Sequence, residues 1–233
     1  SRATSFISST NIKRRVEEQT PVHIEIVFDP ACPWCFIGKR RLEQALKLRP
    51  MIKPIIQWHP FLLNPELPAS GHDNTAYLVR KFGSEGRVRR AFGAISDAGL
   101  SVEIDFAFDR IRNTPNTLDA HRLARFADVH GQASATVEAL FHNYFVNGRD
   151  IGDVEILIEI AENLNLPAEE VRSYLESDAD VALIYEENAR AHSLGVNGVP
   201  SYLFSGGLTI SGAQEAEVLS RMLDAALLME TAA

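Results

Sequence analysis

Apolar and polar positions change their spacing three times along the chain, and those changes divide it. Residues 22–28, Val-His-Ile-Glu-Ile-Val-Phe, form an apolar run of strand length, and the stretch 36–48 that follows has a helical pattern ending at Pro50. A second β-rich run covers 52–58, where Pro54 places it at an edge or at a strand start. Residues 59–68 hold too many prolines for a helix or a central strand and predict a long connection.

From Asn74 to Leu194 the spacing is mainly helical. Ser84 predicts a cap for a helix reaching Ala98, with Gly99 just beyond. Thr117 predicts one for 118–130, and Ser134 one for a helix reaching Val146. Asp153 opens 154–163, Pro167 suits the start of a helix reaching Glu176, and Asp178 or Asp180 opens the last, which ends before Gly195. Residues 101–106 alternate as a short strand does, or form an extended loop. Beyond Gly195, two short runs at 199–204 and 208–210 flank Ser205-Gly206-Gly207, which predicts a hairpin. Residues 213–229 form a closing amphipathic helix, with Val218, Leu219, Met222, Leu223, Ala226 and Leu227 on its apolar side. The order β-α-β, helical block, β-β-α predicts an α/β domain with a helical insertion: 21–64 and 195–233 form the α/β part and 65–194 the insert.

With 233 residues and 45% hydrophobic content the chain can bury a full core, so a soluble globular protein is expected. A net charge of -8 and the lack of a basic stripe argue against nucleic acid as a partner. Lys39, Arg40 and Arg41 read as a solvated helix face that adds positive potential nearby. No run approaches the ~20 apolar residues of a membrane span. Residues 1–20 hold Arg2, Lys13, Arg14 and Arg15 with no acid before Glu17, and lack the apolar stretch of a secretory signal. They are expected to form a disordered or loosely packed arm, faintly like an organellar targeting segment.

The candidate chemistry lies at Cys32-Pro33-Trp34-Cys35, where the first strand gives way to the first helix. A helix start offers unpaired backbone N–H groups and a positive dipole end, both of which favour a thiolate at Cys32. Thiols placed this way have pKa values of roughly 3.5–7.5, against about 8.5 for a free one. Pro33 fits the first helical position, having no N–H to lose. Cys35 then sits one turn inside, able to resolve a mixed disulfide formed at Cys32. Two readings compete. A structural zinc needs about four ligands, and there is no second CxxC and no HxxxH, so no metal is expected. The pair could also be inert core cysteines, against which stand the preceding strand, the following helix and the intervening proline. Because this one pair uses both cysteines, no disulfide framework exists, and a reducing compartment such as the cytoplasm is expected.

Several stretches together resemble one family. They are Phe28-Asp29-Pro30-Ala31-Cys32-Pro33-Trp34-Cys35-Phe36-Ile37-Gly38-Lys39-Arg40, then His59-Pro60-Phe61-Leu62-Leu63-Asn64-Pro65, then 113–122, then Gly195-Val196-Asn197-Gly198-Val199-Pro200 with Ile210-Ser211-Gly212-Ala213-Gln214. The combination is similar to the DsbA superfamily, a thioredoxin fold with a large helical insertion. Within it the chain resembles the FrnE-like branch, which is related to 2-hydroxychromene-2-carboxylate isomerases and kappa-class glutathione transferases. The likeness runs from about Val22 to Met229.

The resemblance implies a thiol–disulfide oxidoreductase with Cys32 as nucleophile and Cys35 as resolving thiol. Pro200 matches the proline whose preceding peptide is cis and which faces the CxxC, with the Val199 backbone beside a bound thiol. Asn116, Thr117, His121 and Arg122 match a stretch of the insert beside the active-site groove; for His121 a plain structural role weighs equally. Trp34 offers substrate an aromatic surface. Ser211 to Gln214 precede the last helix, where N–H groups could hold a carboxylate such as that of glutathione; ordinary capping explains them as well.

One departure concerns the acid that thioredoxin-type proteins often bury six residues before the first cysteine. That position is Ile26 here, so water, His59 or Asp29 has to move the proton. The isomerase and transferase relatives commonly place serine where Cys32 stands, and keeping both cysteines favours disulfide exchange. The alternatives are a glutathione-dependent isomerase or transferase, and a partner-binding module that keeps only the fold. Expected partners are a disulfide- or thiol-bearing protein or small molecule, with glutathione as a co-substrate and no bound cofactor. A homodimer is a candidate assembly.

Overall fold

The computed structural model describes residues 19–232. The leader expected over residues 1–20 lies, up to residue 18, outside the described residues. Strand β1 (Thr20–Phe28) starts two residues earlier than its apolar run, because the Thr20 N–H donates to the Met51 carbonyl at 2.9 Å. Helix α1 (Pro33–Lys47) returns the chain to β2 (Ile52–Pro60), which runs parallel to β1. At the other end of the chain, β5 (Ser201–Phe204) and β6 (Leu208–Ser211) form the expected hairpin. β5 pairs antiparallel to β1, which gives the order β2-β1-β5-β6. β1 is therefore central, which explains why its even-numbered side chains Val22, Ile24, Ile26 and Phe28 are buried.

Between β2 and β5 lies the helical block. It comprises α2 (Asn74–Phe82), α3 (Glu85–Leu100), α4 (Leu118–Val129), α5 (Ala133–Phe145), α6 (Val154–Asn163), α7 (Ala168–Glu176) and α8 (Val181–Ser193). α4 packs on α5, α6, α7 and α8 and is buried along most of its length. The block meets the sheet at β2 through α4, α5 and α8, while the closing helix α9 (Ala216–Ala232) lies along α1 and β1. Sheet and block share one core. The Phe28 ring meets Trp58, His121 and Phe141 edge-on, and Phe36 stacks on Phe141 at 5.1 Å. Burying each such aromatic ring contributes about 1.5–3 kcal/mol relative to leaving it in water.

Several expected boundaries move, each for a visible reason. Ser134 does not cap its helix; it sits inside α5 and accepts the Trp58 indole N–H at 2.8 Å, tying the block to β2. Thr117 precedes α4 without capping it, since the Leu118 N–H goes to the Asn116 side chain at 3.0 Å. α3 runs through Gly99 to Leu100, because Phe106 lies where a side chain at position 99 would stand. Residues 101–106 are a loop, pinned by the Ile104 N–H on the Gly99 carbonyl. α9 starts at Ala216 rather than Ala213, as the Ala213 carbonyl accepts from Arg41 and the Gln214 amide turns back onto the Ser211 carbonyl. A two-residue pair, β3 (His72–Asp73) with β4 (Asn113–Thr114), is too short to leave a sequence period.

Candidate active site

β1 delivers the chain into a tight turn in which the Cys32 N–H donates to the Asp29 carbonyl at 3.0 Å. Cys32 is the extended residue just ahead of α1, Pro33 is its first helical residue, and the first turn carries no acidic side chain to oppose an anion. Cys32 thus sits at the positive end of a fifteen-residue helix. Cys35 follows one turn later, its N–H donating to the Cys32 carbonyl at 3.1 Å. Both cysteines are free thiols, close enough for Cys32 and the Asp29 backbone to act on the ionisation of Cys35. Burial, reinforced by the neighbouring Cys32, pushes the Cys35 thiol well above its ordinary value.

The Val199–Pro200 peptide is cis, and the Cys32 sulfur lies 3.6 Å from the Val199 carbonyl oxygen. Both residues open onto a cleft of about 520 Å³ between the start of α1, the 61–64 connection, α2 and α3, with Phe108, Tyr144 and Phe145 behind. Its wall is mostly apolar, and Trp34 stands at its lip, 38% exposed. One polar strip crosses it: Lys81 donates to the Tyr77 hydroxyl, which donates to the Asn64 side chain. A cleft of this size suits a small molecule or one short segment of a chain.

Of the three groups open for proton transfer, the structure separates two. His59 Nε2 lies 3.3 Å from a Glu25 carboxylate oxygen across β1 and β2, with no hydrogen bond between them. Asp29 is 1% exposed beneath the CxxC turn, its two carboxylate oxygens accepting the N–H groups of Ala31 at 3.0 Å and Leu63 at 2.8 Å. Burial raises its pKa to about 6 despite those bonds, the Thr117 hydroxyl and the Lys81 charge. A buried carboxyl that titrates near neutrality beside a buried thiol is suited to proton exchange.

The other residues singled out in the sequence lie outside the cleft. Asn116 bridges the Leu67 carbonyl and the Leu118 N–H. His121 is 3% exposed, with Nε2 at 3.2 Å from the Phe61 carbonyl; burial lowers its pKa to about 3. Arg122 gives its guanidinium to the carbonyls of Tyr174, Leu175, Ser177 and Ala179 at the end of α7. The Ser211 and Ser201 hydroxyls pair at 3.0 Å, while Gln214 bonds its own turn and the Gly212 N–H donates to the Pro200 carbonyl at 2.7 Å. The structure thus brings Cys32, Pro33, Trp34 and Val199 together on the cleft, with Cys35 and Pro200 buried behind. Two groups beside the cysteines escaped the sequence reading: Leu63, which fixes Asp29, and Tyr202. Only the alternation of β5 after Pro200 signals the latter. No group of His, Cys, Asp or Glu among the described residues is placed to hold a metal ion.

A strand, a CxxC at a helix start, a cis proline opposite it and a helical block over the groove define a thioredoxin-fold thiol oxidoreductase. Residues 23–224 match the model of the DSBA-like thioredoxin domain, and the chain belongs to that family. Its relatives include the uncharacterized protein YwbO of Bacillus subtilis, 24% identical over 211 residues, which span 87% of this chain and 96% of YwbO. Among solved structures, a probable DsbA oxidoreductase from Streptomyces coelicolor superposes with a TM-score of 0.81 at 30% identity, covering 88% of this chain and 89% of that one. A 2-hydroxychromene-2-carboxylate isomerase shares the fold at a TM-score of 0.68 and 15% identity, over 90% of this chain and 98% of that one.

Proposed function

We propose that this protein exchanges disulfides through its CPWC site, with Cys32 as the attacking thiol and Cys35 as the resolving one. The observation that carries this reading is the asymmetry of the pair. Cys32, 6% exposed, lines the cleft at a helix start, while Cys35, 2% exposed, lies behind that lining near Asp29.

In the reducing direction the Cys32 thiolate attacks a substrate disulfide, forming a Cys32–substrate disulfide and releasing one substrate thiolate. Cys35 then gives its proton to the Asp29 carboxylate, directly or through one water, and its thiolate attacks the Cys32 sulfur. The Cys32–substrate bond breaks, the second substrate thiolate leaves, and the Cys32–Cys35 disulfide remains. Oxidation of a substrate dithiol runs these steps backwards, with Asp29 returning the proton.

The cleft supports a small disulfide or a short peptide segment as substrate, with glutathione small enough to serve as co-substrate. The motif set around CPWC supports the FrnE-like branch, with residues 65–194 as an insert that supplies the far wall of the cleft. The single cysteine pair, with no structural disulfide, suits the reducing cytoplasm. The test is trapping. Cys35→Ser should accumulate a mixed disulfide on Cys32 and stop there, and Cys32→Ser should form none. Sustained turnover in Cys32→Ser contradicts the reading.

A further inference from the structure

The Tyr202 hydroxyl is the least explained polar group near the cysteines. It is 0% exposed, and no hydrogen-bond partner for it exists among the described residues. A buried hydroxyl left unpaired costs stability, so its retention calls for a cause. β5 aims it there: Pro200, Tyr202 and Phe204 share one side of the strand, and Tyr202 stands opposite Ile26 of β1. The ring reaches α1 at Gly38, where an added methyl would overlap the hydroxyl oxygen and crowd Pro200.

Gly38 is three residues beyond Cys35, so the two positions share one face of α1 about one turn apart. Helical side chains lean toward the N-terminus, which directs Cys35 and the Tyr202 hydroxyl into the same buried space between α1 and β5. A hydroxyl there is a donor within electrostatic reach of the sulfur that must become an anion during resolution. As a thiol, Cys35 is a poor acceptor; as a thiolate it is a strong one.

We infer that Tyr202 donates a hydrogen bond to the Cys35 thiolate as it forms, and so speeds resolution of the mixed disulfide. Resting on the assignment of Cys35 as resolving thiol, this gives the fold a buried donor at the second cysteine. The charged and titratable groups around it are Cys32, Asp29 and Arg41. Asp29 reaches Cys35 only through its backbone N–H, and the Arg41 guanidinium gives its two terminal nitrogens to the Ala213 carbonyl and Glu215, which leaves only its Nε without a partner. Tyr202 is left as the uncharged side-chain donor without another task.

The step can be followed with the aromatic disulfide dithiobis-nitrobenzoate in stopped flow. The Cys32 thiolate attacks the reagent, forming Cys32–S–S–aryl and releasing one aryl thiolate. The Cys35 thiolate, its proton lost, then attacks the Cys32 sulfur, forming the Cys32–Cys35 disulfide and releasing the second. The dithiol is oxidised and the reagent reduced by two electrons. Tyr202→Phe deletes one oxygen and keeps the packing. We expect its first phase to match the parent and its second to slow about tenfold, the worth of one hydrogen bond to a charge. The pH midpoint of that second phase should rise by about one unit, while resistance to urea stays equal or increases. A second phase and midpoint matching the parent overturn the inference, as does equal slowing of both phases. If the parent releases only one aryl thiolate, or Cys35→Ser releases two, the assignment of Cys35 itself has failed instead.

Discussion

The Cys32 sulfur lies 3.6 Å from the Val199 carbonyl oxygen, so the first cysteine of the CxxC and the residue before Pro200 meet on one wall of the cleft. Cys35, three residues later, faces the protein interior instead.

That difference predicts an order of modification. Iodoacetamide at neutral pH should alkylate Cys32 and leave Cys35 largely intact in the folded protein, because burial holds Cys35 as a thiol out of reach. Unfolding in urea should level the two. Peptide mass spectrometry reads the ratio, and equal labelling in the folded state would contradict the site's asymmetry.

Asp29 should leave a signature in stability. It holds its proton up to about pH 6 when folded, against 3.8 as a free side chain, so its contribution favours the folded state most below 3.8 and is lost as the pH rises through 6. At neutral pH the buried carboxylate then costs about 3 kcal/mol. Asp29→Asn should remove that slope from urea-unfolding free energies measured across the pH range, and slow the resolving step. Because Asn offers one acceptor oxygen where Asp offers two, a pH-independent loss of about 1 kcal/mol accompanies it. An unchanged slope counts against the buried carboxylate.

His121 should act with the opposite sign. Its pKa falls from 6.5 to about 3 on burial, so its contribution is complete above 6.5 and is lost as the pH drops toward 3. The loss approaches about 1.4 kcal/mol per pH unit. His121→Gln, which can still donate to the Phe61 carbonyl, should unfold with that acid slope removed. Between pH 4 and 6 the parent's two slopes oppose each other, so the single variants have to be compared. Retention of the full acid slope in His121→Gln would assign it to another group.

Arg122 tests whether the stretch 113–122 serves the cleft or the core. Its guanidinium holds four carbonyls at the end of α7 together with Asp119 at 2.8 Å. A lysine cannot reproduce that fork, and Arg122→Lys should lower stability by about 3 kcal/mol. Both phases of aryl thiolate release should stay at the parent rates. Selective slowing of either phase would place Arg122 in the site.

The parts legible in the sequence are those whose signal is local. A strand running into CPWC, proline at the first helical position, a glycine-rich turn between two short strands and a closing apolar stripe each declare themselves within ten or twenty residues. Contacts made at long range leave no such trace. Ser134 resembles a helix cap until Trp58, 76 residues away, takes its hydroxyl. His121 reads equally as a substrate contact and as a structural residue until Phe28 and the Phe61 carbonyl are seen to enclose it. Asp29 could be named as a candidate from its nearness to Cys32, but its burial beneath the CxxC turn depends on Leu63 supplying the second amide. Tyr202 reads as one more apolar strand residue, because its hydroxyl gains meaning only beside Gly38 and Cys35.

The central claim is that Cys32 and Cys35 cycle as one dithiol–disulfide pair. Equilibrium titration against a glutathione series, read by Trp34 fluorescence and by alkylation of free thiols, tests it most directly. A single reversible two-electron transition that both readouts share, absent in Cys35→Ser, is the predicted result. A midpoint between about −120 and −200 mV would set the protein as an oxidant or isomerase of disulfides, and one near about −270 mV as a reductant. No reversible transition across the series, or an unchanged one in Cys35→Ser, would contradict the account.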